Sequence, residues 1–189
     1  MLEEKKEIIN FITKNGSFIQ MGNDKKYTSL SGMIIGVKVR TITPTDSEPY
    51  EVLQIAIDGG SHIYLVRMGL KYNAANSFLR SMPHIEPTHV VKLICFANEK
   101  NFDTILIEQH DQRYSYYYTK SDPKGKPDWI KTDKGWDNTD EIEFFKKTVI
   151  DFHAKLSSGN RLAPLPSAVQ ADSNPPQQPE DWGGKEPDF

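Results

Sequence analysis

The sequence predicts a mainly β domain with flanking helices and an unstructured C-terminal tail. Three observations carry that expectation. Apolar residues recur with period two from Ser31 to about Gln109. A helical stripe of period 3.6 follows near residue 140. Beyond Gly159 the composition turns to proline, glutamine and acids. The bulk properties agree. A chain of 189 residues suits one domain of about 100–150 residues plus appendages. The 37% hydrophobic fraction is low for a compact domain and fits dilution by a disordered segment.

The elements follow in order. Leu2 to Lys14 places Leu2, Ile8, Ile9 and Ile12 near one helical face, and Asn15-Gly16 reads as its stop, so residues 1–15 are expected to form an N-terminal helix. SGMIIGVKVRTIT alternates, with Met33, Ile35, Val37 and Val39 on one face and Ile34, Gly36, Lys38 and Arg40 on the other. EVLQIAIDGGSHIYLVRM reads as a hairpin around Asp58-Gly59-Gly60. A two-residue loop there turns Tyr64 toward the core beside Ile55; a three-residue loop turns it outward beside Gln54, and the sequence leaves both open.

KYNAANSFLRSMPHIEP predicts a short helix ended by Pro83. THVVKLICFANEK and NFDTILIEQHDQ predict two more strands. The aromatic run RYSYYYTK and a polar loop holding Trp129 and Trp136 come next. In TDEIEFFKKTVIDFHAKLSSG, Ile142, Phe145, Val149, Phe152 and Leu156 make one apolar stripe, with Asn138 and Glu141 as a capping box. Such a stripe packs on its own core or, alternatively, on a second copy. Strand, hairpin, helix, strand, strand is the chain order of an OB-fold, a five-stranded, partly open barrel. The expected organisation is therefore an N-terminal helix (1–15), an OB-fold domain (16–137), a C-terminal amphipathic helix (138–157) and a linker with an acidic tail (158–189).

Charge and motifs narrow the function. Net charge is −3. From residue 161 onward Asp172, Glu180, Asp181, Glu186 and Asp188 face only Arg161 and Lys185, which leaves residues 1–160 neutral. Any nucleic-acid contact must therefore come from a local patch. The single cysteine, Cys95, excludes an internal disulfide and suits a reducing cytoplasm, and no stretch approaches the length of a membrane span. No phosphate-binding loop, nucleophile elbow, HExxH or CxxC appears, and the five histidines show no metal spacing. No enzyme activity, metal or cofactor is expected.

A single strand of nucleic acid is held by cations along its phosphates and by aromatic faces under its bases. Lys38, Arg40, Arg67 and Lys92 are the candidate cations. Tyr64, Phe96, Tyr116, Tyr117 and Tyr118 are the candidate stacking platforms.

The tail completes the pattern. Six of the twelve prolines lie from Pro164 onward, so residues near 160–178 read as a linker, which leads to PEDWGGKEPDF. An OB-like strand order, a Pro/Gln/Ser linker and an acidic tip ending in Phe189 resemble the single-stranded DNA-binding proteins of bacteria and, more closely, of phages. The stretch NSFLRSMPHIEPTHVVKLICF is also similar to phage-type members. That resemblance implies non-sequence-specific binding of single-stranded DNA in replication, recombination or repair, in the cytoplasm of a bacterial cell, phage-encoded members included. It implies a docking tail for replication or repair proteins, with Phe189 as anchor, Trp182 as a second contact and Glu180, Asp181, Glu186 and Asp188 as charge. It leaves homo-oligomers open. A protein–protein adaptor on an OB-fold, without nucleic-acid binding, is the alternative.

Overall fold

The computed structural model describes residues 6–45, 47–133 and 135–158. Three strands come first: β1 (Glu7–Lys14), β2 (Ser17–Gln20) and β3 (Lys26–Tyr27). The long β4 (Ser29–Ile42) leads into β5 (Tyr50–Asp58) and β6 (His62–Gly69). Helix α1 (Asn73–Ser81) and a 3-10 turn (Met82–His84) precede β7 (Val91–Ala97), β8 (Asp103–Gln109) and β9 (Gln112–Tyr114). A ribbon of β10 (Ile130–Thr132) and β11 (Gly135–Asp137) precedes α2 (Thr139–Ser158). The expected order of strand, hairpin, helix, strand, strand is that of β4 to β8, with α1 between β6 and β7.

The first nine strands form one sheet in the order β3-β2-β1-β6-β5-β4-β7-β8-β9. The sheet is not closed into a barrel; its hydrogen-bonded order runs open from β3 to β9. β4 joins its two halves. Ser29–Gly32 pairs with β7, and Met33–Ile42 pairs with β5. At Gly32 an added Cβ would lie 2.4 Å from the Asp58 carbonyl oxygen, so glycine permits β4 to cross the end of β5 where it changes partner.

The expected N-terminal helix is instead a strand. β1 pairs antiparallel with β2 and parallel with β6. Asn15 (φ 53°) and Gly16 (φ 71°) are not a helix stop but the two central residues of a hairpin turn flanked by Lys14 and Ser17. Positive φ at both positions is what a type I′ turn demands and what Asn-Gly supplies. Ile8, Ile9, Ile12 and Thr13 are β-branched, and β6 offers them a partner edge. Pairing along it satisfies the backbone and buries Phe11.

The single apolar face expected for Met33, Ile35, Val37 and Val39 is also corrected. A bulge between Ile34 and Gly36 inserts one residue and shifts the alternation, so Ile34 before it and Val37 after it both enter the main core. In the β5–β6 hairpin Ile57 pairs with Tyr64, and the Gly59 N–H donates to the His62 carbonyl at 2.9 Å. The turn spans Gly59 to His62. Four residues keep the parity of two, so Tyr64 joins Ile55 and Ile57 inside.

Ala74, Ala75, Phe78 and Leu79 carry α1 into the core, and the Ile105 N–H of β8 donates to the buried Ser77 hydroxyl at 2.8 Å. Phe145, Val149, Phe152 and Leu156 of α2 pack into that same core, with the helix lying over β4. Each such side chain stabilises by about 1.5–3 kcal/mol when buried. The stripe therefore belongs to its own domain rather than to a second copy. Glu141 does not close a capping box: the Asp137 carboxylate accepts from the Thr139 N–H and hydroxyl, and those bonds hold its carboxyl below the usual range.

Candidate nucleic-acid interface

The outer face of β4, β5 and β6 carries a row of cross-strand neighbours. Lys38 pairs with Gln54, and Gln54 with Arg67. Ile12 of β1 continues the row beyond Arg67. Arg40 lies two residues along, and its Nη1 donates to Gln54 Oε1 at 3.5 Å. Among the described residues no acid is paired with Lys14, Lys38, Arg40 or Arg67. Lys14, Lys38 and Arg40 are exposed and Arg67 is half-buried.

A shallow hollow of about 320 Å³ lies over Arg40, Val52, Gln54 and Arg67. It shares Ile42, Val52 and Arg67 with a larger groove of about 510 Å³ that runs past Lys14 and Ile12 to the start of α1 and to Phe102. Three exposed aromatic rings line that groove: Tyr50, Tyr72 and Phe102. Exposed Met21 and Ile12 line it too. Apolar side chains therefore line this groove, with Lys14 and Arg67 among them.

Local structure holds each ring outward. Tyr50 is the first residue of β5. Tyr72 caps the N-terminus of α1 and is 72% exposed, with its N–H donating to the Gly69 carbonyl at 3.0 Å. Its ring lies across Gly69, where an added Cβ would come within 2.3 Å of a ring carbon. Phe102 ends the β7–β8 turn. The Asn98 side-chain oxygen accepts from the Lys100 and Phe102 N–H groups at 3.0 and 2.9 Å and shapes that turn. Among the described residues the one acid on the groove wall is Asp103, whose carboxylate accepts from the Gly16 N–H at 2.7 Å.

Of the residues expected to bind DNA, Lys38, Arg40 and Arg67 come together here. Lys92 does not; it sits half-buried on β7, in register with Glu108. The platform expectations are corrected in turn. Tyr64 is only 3% exposed, because hairpin parity points it inward against Phe11, and burial pushes its phenol pKa up. Phe96 is buried with Ile94 and Leu106 in a second, smaller apolar cluster. Tyr118 is buried edge-on against Phe144 and Phe145 of α2.

Tyr116 and Tyr117 remain half-buried, but they pack around the end of α1. The Arg80 guanidinium lies over the Tyr116 ring, and His84 and Lys124 flank Tyr117. Cys95 is a core residue whose thiol pKa is pushed up by burial and by the charge of Asp103. The docking residues Glu180, Asp181, Trp182, Glu186, Asp188 and Phe189 lie outside the described residues.

Tyr50, Tyr72, Phe102 and Lys14 were not legible as site residues. The one local signal for Tyr50, Tyr72 and Phe102 is an aromatic ring next to a turn, in SEPY, LKYN and KNF, where a strand or helix begins and no core face claims it; Lys14 has none. Comparison with protein-family models, curated proteins and solved structures finds no match for this chain. No helix among the described residues is long and apolar enough to cross a membrane.

Proposed function

We propose that this chain binds single-stranded DNA, without marked sequence preference, in the groove between Arg40 and Phe102, and that it serves replication, recombination or repair. The observation that carries the reading is the convergence of Tyr50, Tyr72 and Phe102 with Lys14 and Arg67 in one groove, and of Arg40 in the hollow that adjoins it. Stacking contributes roughly 1–3 kcal/mol per base. Two or three platforms then matter more than any one cation. Aromatic faces accept any base, which is why the reading is sequence-tolerant.

The chain order supports an OB-type reading of the same site. Taking β4 to β8 as the five strands, the groove falls on β5–β6, next to the 43–49 connection and the β7–β8 turn. These correspond to the second and third strands and the two loops with which OB-folds bind oligonucleotides. The acidic segment from Glu180 to Asp188, with Trp182 and Phe189, then serves as the docking peptide for replication or repair partners. Its carboxylates offer charge-assisted bonds to basic surfaces.

Anisotropy of a labelled oligo-dT of about 16 nucleotides, titrated with the full chain at several salt concentrations, tests the reading. Saturable binding that weakens steadily with salt is expected. Absence of binding at low salt overturns it and makes a protein–protein adaptor the better description.

A further inference from the structure

At the opposite end of β8 from Phe102, the fold brings His110 to a pair of side chains, Glu86 and His89, that stand three apart in the chain. Glu86 and His89 stand on the turn after the 3-10 segment, and His110 stands on the β8–β9 turn. One ligand atom from each lies within 4.8 Å of the other two. His89 Nδ1 is 3.1 Å and His110 Nε2 is 3.4 Å from the same Glu86 oxygen, Oε2. We propose that Glu86, His89 and His110 bind one divalent cation of the zinc class, through one carboxylate oxygen and two imidazole nitrogens, with a fourth position left to water.

The distances are compatible with a shared cation. Tetrahedral zinc holds its ligands at about 2.0–2.1 Å, which sets neighbouring ligand atoms about 3.3–3.4 Å apart. The two nitrogen–oxygen separations bracket that edge. The donor set, two imidazoles and a carboxylate, is one that borderline cations such as zinc accept and that magnesium or calcium do not prefer.

The backbone beneath these side chains is held in place before any cation arrives. Gln109 is only 2% exposed. Its Oε1 accepts from the Glu86 N–H at 3.0 Å, and its Nε2 donates to the Glu86 and His89 carbonyls at 3.1 and 3.3 Å. This buried amide ties the 86–89 turn to the residue preceding His110. His110 and Asp111 both take positive φ (55° and 58°), the two-residue turn that glycine usually fills. That turn brings the His110 ring against His89, with ring centres 4.6 Å apart. The Thr88 hydroxyl lies 3.1 Å from His89 Nδ1, and its hydrogen is free to rotate when a cation takes that lone pair.

The test uses the full chain stripped of metal by chelation. Zn²⁺ is titrated by calorimetry, and Co²⁺ by its visible absorption, which reports tetrahedral coordination. One site per chain is expected, with a rise in melting temperature on Zn²⁺ addition. His89→Ala and His110→Ala should each weaken binding by at least the roughly 10–100-fold that loss of an outer-shell partner costs. His62→Ala and His153→Ala should leave it unchanged. Glu86→Gln keeps the shape of the site and should also weaken it, so the result does not depend on a variant that misfolds. A dissociation constant above about 1 mM overturns the proposal, as does binding that survives both His89→Ala and His110→Ala.

Discussion

Lys126 Nζ and Glu141 Oε1 lie 2.8 Å apart, with side chains only 4% and 1% exposed. The same carboxylate accepts from Trp129 Nε1 at 2.5 Å and from Asn76 Nδ2 at 3.1 Å. One buried acid therefore ties α1 and the segment before the β10–β11 ribbon to the first turn of α2. Every donor here is satisfied by a charged partner, so the arrangement tolerates no single loss. Glu141→Gln leaves the Lys126 ammonium buried without its counter-charge. It is expected to destabilise the fold by about 3–5 kcal/mol, read from urea unfolding. Lys126→Met should cost less in the double variant than the two single losses added together.

Stacking in the groove is tested one ring at a time. Tyr72→Ala should weaken oligo-dT binding by about 5- to 150-fold, the equivalent of roughly 1–3 kcal/mol. Phe102→Ala and Tyr50→Ala should act in the same direction. The rings are exposed, so urea midpoints should move little. Tyr64→Phe, by contrast, should leave affinity unchanged, because that ring faces the core. Equal affinity for wild type and all three alanine variants would place any DNA contact elsewhere.

Cations should show in the salt dependence rather than in the fold. Each phosphate contact on a single strand contributes about −0.7 to the slope of log K against log salt. Arg67→Gln and Arg40→Gln should each reduce the slope by about that amount. Lys92→Gln should not change it, since Lys92 lies off the groove. Slopes from anisotropy at four or five salt concentrations decide this.

His84 makes stability depend on pH. Its ring stacks on Tyr114 and meets Tyr117 edge-on, and burial, helped by the Lys124 charge, lowers its pKa from the usual 6.5. At pH 8 it is neutral both folded and unfolded and contributes no pH dependence. As pH falls through 6.5 the unfolded chain takes up the proton first, so stability drops until pH passes below the folded pKa. His84→Phe keeps the ring stack and should lose less stability between pH 7.5 and 5.5 than wild type, measured by urea unfolding at each pH.

Much of the architecture was legible because it is written in local period. The strand order from β4 to β8, the position of α1 and the buried stripe of α2 all follow from alternation or 3.6-residue spacing. The N-terminus was not legible: Ile8, Ile9 and Ile12 satisfy a helical stripe and a β-branched strand equally well. Only the free edge of β6 decides between them. Asn15-Gly16 is likewise a helix exit or a hairpin turn until Ser17–Gln20 is seen to pair back on β1.

The candidate site divides the same way. Alternation alone placed Lys38 and Arg40 on the face away from the core, because a strand's period is two whatever it pairs with. It could not place Tyr64, whose direction depends on the length of one turn. Nor could it gather Tyr50, Tyr72 and Phe102, which lie far apart in the chain and meet only where the ends of β5, α1 and β8 converge. His110 meets Glu86 and His89 for the same reason, across a clamp made by Gln109. The sequence by itself determined which segments are strands or helices and which strand faces carry charge. Tertiary structure alone decided partners, register and convergence, because those depend on contacts between residues that no local pattern links.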